Sequence, residues 1–385
     1  MQLYEFQAKR IFGENGITIP KGRLCKTSQE AAEATKLLGK PVIVKAQVLA
    51  GGRGLAGGVK AVQNPEEAHE VASQILGMTI KGEKPVGLIV EERIEAIREL
   101  YAGVTYDYGK KLPVIMASSR GGVDIETIAK DHPAEIARKD VDPFKGFSAY
   151  QGRELAAKIG LNGNSLLQYA SIAGALWNIF SKYDAELAEV NPIAVLADGS
   201  LVALDAKLNL DDKSLARQSS LLSRIEKISS SQIDGPTARR IRARELGIPT
   251  YIEMDGNIGV IADGAGTGML TLDLVSDFGG KTGVYCEMGG ETTAELMEKT
   301  MLATLAFENT KVVLVNLIGG LNLMDEMAKG ISNYLRNHPT KVPVVVRISG
   351  TNEDEGRRIL NADGIRSFDN LYQAVEEAVK LSKGM

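Results

Sequence analysis

The spacing of apolar residues changes along this 385-residue chain and divides it into two parts. In the first part, short apolar runs and helical stretches are mixed without strict alternation. The runs VGLIVEERI, ELYAGVTYD and KLPVIMAS follow one another closely, which predicts an antiparallel sheet with one functional face. In the second part, IGVIAD, KTGVYCEM, KVVLVNLI and VPVVVRIS each precede a glycine-containing turn and a helical stretch. This alternation predicts an α/β domain with a parallel, doubly wound sheet, whose ligand crevice lies at the carboxyl ends of its strands.

The two parts meet in a segment rich in serine and charged residues, from about Leu215 to Glu245. A change of composition of this kind is typical of a domain boundary. We therefore predict two domains, residues 1–235 and 236–385.

Composition and charge exclude several classes of protein. The formal net charge is -4 and the sequence pI is about 5.7, so the basic footprint of a nucleic-acid-binding protein is missing. The two cysteines, Cys25 and Cys286, are far apart, which argues against a disulfide framework or a zinc site. The N-terminal stretch MQLYEFQAKRIFGENG lacks the apolar core of a signal peptide, and no apolar run approaches a membrane span. These features predict a cytoplasmic protein that binds neither membranes nor nucleic acid.

The segment VIVKAQVLAGGRGLAGGVKAV combines cations with glycines. Lys45, Arg53 and Lys60 supply positive charge, and glycines let backbone N–H groups approach a ligand closely. The segment lacks the G-x-x-x-x-G-K-[ST] pattern and is therefore not a Walker P-loop. We interpret it as a site for the phosphates of a nucleotide. A glycine-rich surface turn beside a lysine that extends to solvent is the alternative.

A predicted hairpin, AELAEVNPIAVLADGSLVALDAKL, carries oxygen ligands suited to Mg²⁺: Glu189, Asn191 and Asp205. A two-residue turn would pair Pro192 with Asp205 and point Asn191 to the opposite face. A three-residue bulged turn would bring residues 191 and 205 onto one face, and we predict this register. An ordinary polar strand face is the alternative.

The second part contains the turns DGAGTG, GGETT, GGLN and SGTNEDEG, which should meet at one edge of the parallel sheet. Helix N-termini at such turns favour a carboxylate or a phosphoryl group as ligand. The first turn departs from G-x-G-x-x-G, so a nicotinamide cofactor is disfavoured.

Several motifs, taken together, resemble the β subunit of the ADP-forming succinyl-CoA synthetases. They are LYEFQAKRIF, VKAQVLAGGRGLAGGV, RGGVDIE, AEVNPIAVLADG, LDAKL, MDGNIGV and NLIGGL, and they occur in family order across nearly the whole chain. The resemblance implies an ATP-grasp domain followed by a flavodoxin-like CoA-ligase domain. It also implies that ATP phosphorylates a histidine of an α subunit, which carries the CoA site. The phosphoryl group then passes to a small carboxylic acid, and CoA displaces it to form a thioester.

The resemblance also implies roles for individual residues. Glu189 would orient the histidine of the α subunit, and Mg²⁺ would be bound by Asn191 and Asp205. ATP would be bound by Lys45, Gly52, Arg53, Gly54, Glu91, Ile94 and Glu99. The acid substrate would be bound by Asp263, Gly320, Leu321 and Asn322.

Three turns of the second part depart from the family pattern. Asp263-Gly-Ala-Gly stands where the family has Asn-Gly-Ala-Gly, and Gly289-Gly-Glu-Thr where it has Gly-Gly-Gly-Ala. The family continues Ile-Val-Arg-Cys-Asp where this chain has residues 321–325, Leu-Asn-Leu-Met-Asp. Because a carboxylate in place of an amide removes two donors and adds charge, we hypothesise that the acid is another short carboxylate, for example malate. Alternatively, Asp263 is hydrogen-bonded to neighbouring N–H groups and Glu291 favours a helix dipole, with succinate retained.

Two other functions remain open at this point. One is an ATP-grasp ligase that joins an acid to an amine without CoA, although such a ligase needs no second crevice of this kind. The other is a non-catalytic, nucleotide-binding regulatory subunit. The presence of Lys45, Asn191 and Asp205 favours turnover over regulation.

Overall fold

A computed structural model describes residues 1–123, 125–225, 235–290 and 292–384. The chain divides into two compact units, Met1–Ile228 and Ser229–Met385. The boundary predicted from sequence, after residue 235, lies a few residues beyond this division and stays a prediction. Among the residues that the structure describes, no helix combines the length and apolar character that crossing a membrane requires.

Unit 1 contains a small antiparallel sheet of four strands in the order β1–β4–β2–β3. Two helices, which pack against each other, bury the apolar face of this sheet around Val44, Ala72 and Val90. The strands are β1 (Gly22–Cys25), β2 (Val42–Ala46), β3 (Val59–Val62) and β4 (Leu88–Glu92), and the helices are α2 (Ser28–Leu38) and α3 (Pro65–Leu76).

The larger sheet of unit 1 is also antiparallel, in the order β10–β8–β5–β6–β7, with β9 paired to β8. The 20-residue helix α6 packs on it through residues that include Tyr169, Leu176 and Phe180. The strands are β5 (Arg98–Asp107), β6 (Leu112–Ser118), β7 (Ile136–Asp140), β8 (Ala185–Val195), β9 (Leu201–Ala203) and β10 (Lys207–Leu210). The helices are α1 (Glu5–Glu14), α4 (Ile125–Asp131), α5 (Ala149–Lys158), α6 (Gly163–Lys182) and α7 (Ser219–Leu222), with 3₁₀ turns at Pro133–Glu135 and Asp212–Gln218.

The prediction of one antiparallel sheet from three successive runs is only partly right. ELYAGVTYD and KLPVIMAS form β5 and β6, which pair antiparallel as expected. VGLIVEERI forms β4, which lies instead in the small sheet, between β1 and β2. The first four residues of β4 are all buried, so this strand suits an interior position in a sheet better than an edge position.

Unit 2 contains a sheet in the order β11–β13–β12–β14–β15–β16, in which every pair is parallel except β11 with β13. The five parallel strands follow the flavodoxin order, and buried clusters on both faces are covered by helices. The strands are β11 (Thr250–Glu253), β12 (Ile258–Ala262), β13 (Thr282–Glu287), β14 (Val312–Gly319), β15 (Val344–Gly350) and β16 (Ser367–Phe368). The helices are α8 (Pro236–Glu245), α9 (Ala265–Asp277), α10 (Ala294–Leu305), α11 (Met324–Asn337), α12 (Glu353–Ala362) and α13 (Leu371–Ser382). The predicted doubly wound, flavodoxin-like sheet is confirmed.

Candidate active site

Lys45 lies on β2 at the centre of a charged cluster in unit 1. Its side chain is largely buried, and its Nζ lies 2.6 Å from Oε1 of Glu91 and 3.3 Å from Oε1 of Glu5. Nζ also donates to the Leu204 carbonyl over 2.6 Å. Burial by itself lowers the pKa of Lys45, but the carboxylates of Glu5, Glu91 and Asp205 outweigh it and raise that pKa above its usual value. The ammonium is therefore charged and fixed.

Arg53 brings the glycine-rich loop to the same cluster. Its Nη2 pairs with the Glu5 carboxylate and lies 3.2 Å from both carboxylate oxygens of Asp205. Its Nη1 donates to the Ala46 carbonyl over 3.0 Å, and the loop closes where Gly58 N–H donates to the Arg53 carbonyl over 2.8 Å. The loop is thus held at its base by a guanidinium that faces inward.

Gly52 and Gly54 flank Arg53 in this loop. Gly52 has φ +76°, a left-handed conformation that favours glycine. No heavy atom of the described residues beyond its chain neighbours lies within 4 Å of where a Cβ on Gly54 would be, so the backbone there is open to a ligand. Lys60, the third cation of the segment, instead donates to Oε1 of Gln74 over 3.1 Å.

Two residues of helix α1, Glu5 and Lys9, complete the cluster, and sequence reasoning missed both. Lys9 Nζ lies 2.9 Å from Oε1 of Glu5 and also pairs with Glu91. Burial raises the pKa of Glu5, but Lys9, Lys45 and Arg53 together bring it well below its usual range. The sequence did contain a signal of their burial. Lys9 follows Glu5 by four residues and precedes the buried Phe12 by three, so the three side chains lie along one stripe of the helix.

The cluster contains matched charges: carboxylates on Glu5, Glu91 and Asp205, and cations on Lys9, Lys45 and Arg53. Buried ions of this kind persist only when each is paired. An incoming polyanion would compete with the protein's own carboxylates for Lys45 and Arg53.

The hairpin of β8 and β9 has the predicted register. Ile193 pairs with Ala203, and Leu196 N–H donates to the Ser200 carbonyl over 2.9 Å, which leaves a three-residue loop. Gly199 in that loop has φ +76°, as a bulged turn requires. Continuing the same pairing places residue 191 opposite residue 205, so this prediction is confirmed.

Asn191 and Glu99 lie around Gly122. Gly122 N–H donates to Oδ1 of Asn191 over 2.8 Å, and Nδ2 of Asn191 donates to the Val123 carbonyl over 2.9 Å. Gly122 has φ +78°, and a methyl group added there would overlap Oε2 of Glu99. The predicted nucleotide residue Glu99 and the predicted metal ligand Asn191 are therefore linked through one glycine.

The remaining predicted residues of unit 1 lie along the same strands. Glu189 is two residues before Asn191 on β8, so the two side chains share a face, and it pairs with Gly103 of β5. Ile94 follows the end of β4 and is half-buried. The structure thus brings Lys45, Arg53, Glu91 and Asp205 into one cluster that Glu5 joins, and it places Glu99, Asn191 and Glu189 on the adjacent sheet.

A magnesium ion suits the oxygen atoms available here. Oδ1 of Asn191 accepts one hydrogen bond and retains a second lone pair, and the half-buried Asp205 presents two oxygens. Within the described ranges, no group of three or more His, Cys, Asp or Glu side chains could hold a metal ion. Mg²⁺ commonly takes only one or two protein ligands and completes its shell with water and phosphate, so two oxygens fit it.

In unit 2, Asp263 follows β12 and Asn322 follows β14, and both side chains are buried. Oδ2 of Asp263 accepts a hydrogen bond from Ile318 N–H over 2.9 Å. Burial raises the pKa of Asp263, and hydrogen bonds from Ile318 N–H and Asn322 oppose that rise. Asn322 also accepts from Thr292 N–H over 3.1 Å, so it connects two turns.

The other predicted residues of this crevice are exposed. Leu321 is 82% exposed. No heavy atom of the described residues, apart from the chain neighbours, lies within 4 Å of where a Cβ on Gly320 would be. Glu291, whose role depends on the same turn, lies outside the described residues. The four predicted acid-binding residues therefore divide into a buried pair, Asp263 and Asn322, and an exposed pair.

Comparisons with known proteins give the same two-part division. A family model described as an ATP-grasp domain matches residues 2–195, and one described as a CoA-ligase matches residues 261–381. The β subunit of the ADP-forming succinate–CoA ligase of Roseiflexus sp. (strain RS-1) is 43% identical, with all of both chains covered. The β subunit of a GDP-forming succinate–CoA ligase of Thermus thermophilus is 38% identical, again with all of both chains covered.

Among solved structures, ATP citrate lyase from Methanothrix soehngenii, in complex with citrate and coenzyme A, has a TM-score of 0.71 and 19% identity. The match covers 98% of this chain and 99% of that one, and at this identity it supports the fold alone. The two family models and the full-length relatives together carry the assignment. The chain belongs to the family of succinate–CoA ligase β subunits, with an ATP-grasp domain followed by a CoA-ligase domain.

Proposed function

We propose that this chain is the β subunit of an ATP-dependent acid–CoA ligase, which forms an acyl-CoA thioester, ADP and phosphate from a small carboxylic acid, CoA and ATP. One observation carries the proposal. Lys45 of a strand, Arg53 of a glycine-rich loop and Asp205 of a hairpin converge on one cluster of paired charges. Two fixed cations beside an open loop backbone are what a nucleotide polyphosphate requires.

In this proposal, the ATP phosphates take Lys45 and Arg53 from their carboxylate partners. The N–H groups of Gly52 and Gly54 cover the phosphates, since the backbone at Gly54 is open. Glu91, Ile94 and Glu99 complete the nucleotide site toward the adenosine end.

Asn191 and Asp205 hold Mg²⁺ in this proposal. The ion supplies positive charge to the phosphate oxygens when it is bound. The three-residue hairpin loop supports this assignment, because its register puts both residues on one face.

The nucleophile belongs to the partner α subunit in this proposal. The three histidines of this chain are engaged locally: His69 with Ser28, His132 with Glu135, and His338 stacked on Tyr334. A histidine nitrogen of the partner attacks the γ-phosphorus of ATP. The bond between this phosphorus and the β–γ bridging oxygen then breaks, and ADP leaves. Glu189 accepts a hydrogen bond from the other ring nitrogen and fixes the tautomer.

The phosphoryl group then passes from the histidine to an oxygen of the acid, and the CoA thiolate displaces phosphate to give the thioester. We assign the acid to Asp263, Gly320, Leu321 and Asn322, and the CoA site to the α subunit. The buried Asp263 supports a second candidate, the same reaction with an acid other than succinate. Its carboxylate would repel a substrate carboxylate placed close to it, whereas a hydroxyl group on the acid could donate a hydrogen bond to it.

The test is to purify the chain with its partner subunit and to measure ADP and acyl-CoA formation with succinate, malate and other short acids. Thioester formation with at least one acid is expected. Nucleotide binding without turnover on any acid would favour a regulatory subunit instead. A wide preference for succinate would reject the second candidate.

Asp263→Asn tests the acid assignment directly. The amide supplies donors in place of a charge, so kcat/KM for succinate relative to other acids should rise about tenfold or more. Asp255→Asn, a change of the same kind in the loop before β12, serves as the control. An unchanged acid preference in Asp263→Asn would remove this residue from the acid site.

We also propose a cytoplasmic location. Cys25 and Cys286 are free and buried, and burial raises the pKa of their thiols to about 11 and about 12. Such thiols are protonated and inert, which suits a reducing compartment.

A further inference from the structure

The hydroxyl of Tyr101 is buried on β5 without a hydrogen-bond partner among the residues that the structure describes. The side chain has no exposed surface. Buried hydroxyls in native proteins are nearly always hydrogen-bonded, so each exception requires an explanation. The neighbouring Tyr169, which is equally buried, does have a partner, because its hydroxyl donates to the Tyr101 carbonyl over 2.6 Å.

The Tyr101 hydroxyl lies against Gly103. A methyl group added at Gly103 would overlap this hydroxyl, and it would lie 3.0 Å from Cζ of the ring. The tyrosine ring therefore covers the space that a larger residue at position 103 would fill. Gly103 pairs directly with Glu189 in the register of β5 and β8, so the hydroxyl lies beside Glu189 on one face of the sheet.

The electrostatics agree with this placement. Burial is the largest cause that raises the pKa of Tyr101, and the Glu189 carboxylate is the next. The hydroxyl consequently stays protonated and remains a hydrogen-bond donor near a carboxylate.

We propose that Tyr101 is a positioning residue, whose hydroxyl, unpaired among the described residues of this chain alone, donates to the Glu189 carboxylate in the complex and holds it in the orientation that engages the partner's histidine. A carboxylate has about four lone-pair sites, so it can accept from the tyrosine and from the imidazole together. Hydrogen bonds from a hydroxyl to a carboxylate are short and strong, which favours a single orientation. This inference rests on the role proposed above for Glu189.

Tyr101→Phe removes the hydroxyl and leaves the ring in place. In the complex with the partner subunit, the rate of phosphohistidine formation from γ-labelled ATP should fall about tenfold at saturating ATP. The KM for ATP should stay within about twofold, because the hydroxyl faces Glu189 rather than the cluster at Lys45. The melting temperature of the isolated chain should not fall, because the buried hydroxyl that is removed has no partner there among the described residues.

Three further variants make the test specific. Gly103→Ala displaces the same hydroxyl without removing it, and it should lower the rate similarly. In a Glu189→Gln background, Tyr101→Phe should change the rate by less than about twofold, because a residue that acts only through another has no effect once that other is gone. Tyr169→Phe removes a hydroxyl that has a partner, so it should lower the melting temperature while the rate is retained.

The possible results are distinguishable. A wild-type complex that forms no phosphohistidine would overturn the proposed function, and this inference with it. A wild-type complex that does form it, together with a Tyr101→Phe variant of unchanged rate, would overturn the inference alone. The inference would also be overturned if the rate in the double variant Tyr101→Phe/Glu189→Gln fell by the product of the two single-variant losses.

Discussion

Glu5 is the residue on which three cations of unit 1 converge. Lys9, Lys45 and Arg53 all contact its carboxylate, which is buried in helix α1. Removal of one charge from a buried network leaves the opposite charges unpaired, which is more costly than the loss of an exposed ion pair.

Glu5→Gln should therefore lower the free energy of unfolding by about 3 kcal/mol at neutral pH. Glu14→Gln is the matched control, because Glu14 is an exposed acid of the same helix that pairs with Arg10 and Arg224. It should cost less than about 1 kcal/mol. Urea unfolding of both variants measures the difference, and equal losses would contradict a special role for Glu5.

The contribution of Glu5 should also depend on pH. Its pKa in the folded protein is well below the value of about 4.3 expected in the unfolded chain, so the stabilisation is present above that value. It is lost as the pH falls through the folded pKa, where both states bind the proton. The difference in unfolding free energy between wild type and Glu5→Gln should consequently shrink from neutral to acidic pH, and a constant difference would argue against this linkage.

Lys45→Met should reduce phosphohistidine formation by about 100-fold or more, because a fixed cation at a transferring phosphoryl group is lost. Lys60→Met is the matched control, since Lys60 lies on the adjacent strand β3 and contacts Gln74. It should retain the wild-type rate within about threefold. Similar losses in both variants would indicate a general effect of positive charge on the small sheet.

At the scale of single residues, the sequence selects several members of the charged cluster but not all of their partners. Lys45, Arg53 and Asp205 are identified by their place in a strand, a glycine-rich loop and a hairpin. Glu5 and Lys9 are not, because a short N-terminal helix with charged residues reads as a surface helix. The helix stripe indicates that both are buried, but their pairing with Lys45, Arg53 and Glu91 depends on tertiary contacts, which no local pattern encodes.

Among the elements, the segment that contains Gly122 links Glu99 of the proposed nucleotide site to Asn191 of the proposed metal site. Its N–H binds Asn191, and its missing side chain leaves room for Glu99. Gly122→Ala should therefore lower kcat/KM for ATP at least about tenfold, because Glu99 and Asn191 must shift together.

Gly160→Ala separates this contact from backbone strain. Gly160 has φ +79°, close to that of Gly122, but the structure places no atom beyond its chain neighbours within 4 Å of where a Cβ would be. Both variants should lose about 1 kcal/mol of stability, and only Gly122→Ala should lose activity. A comparable loss of activity in Gly160→Ala would assign the effect to strain alone.

The elements themselves follow the hydrophobic pattern closely where the chain alternates regularly. In unit 2, each apolar run forms a strand and each following periodic stretch a helix, so the flavodoxin order is predictable from topology rules. In unit 1, the pairing of antiparallel strands depends on tertiary packing, and β4 therefore joins a different sheet from β5 and β6, the two strands that follow it in sequence. The hairpin register is predictable because turn chemistry at Gly199 determines it.

For the whole molecule, the proposed division of the reaction between two subunits makes a clear prediction. The chain alone should be stabilised by ATP and Mg²⁺, with a rise in melting temperature, but should form no acyl-CoA. Addition of the partner subunit should restore thioester formation. Turnover by the isolated chain would show that the nucleophile lies within it, and the absence of any thermal shift would contradict the assignment of the nucleotide site.

The paired charges around Lys45 and Arg53 also bear on how spent nucleotide leaves. Glu5, Glu91 and Asp205 are tethered anions, so their effective concentration near both cations far exceeds that of free ADP. If ATP binds as proposed, we expect these side chains to pair again with the ammonium and the guanidinium as the diphosphate departs, without rearrangement of the sheet. We expect this recapture to weaken product inhibition and to return the enzyme to its starting state for the next cycle.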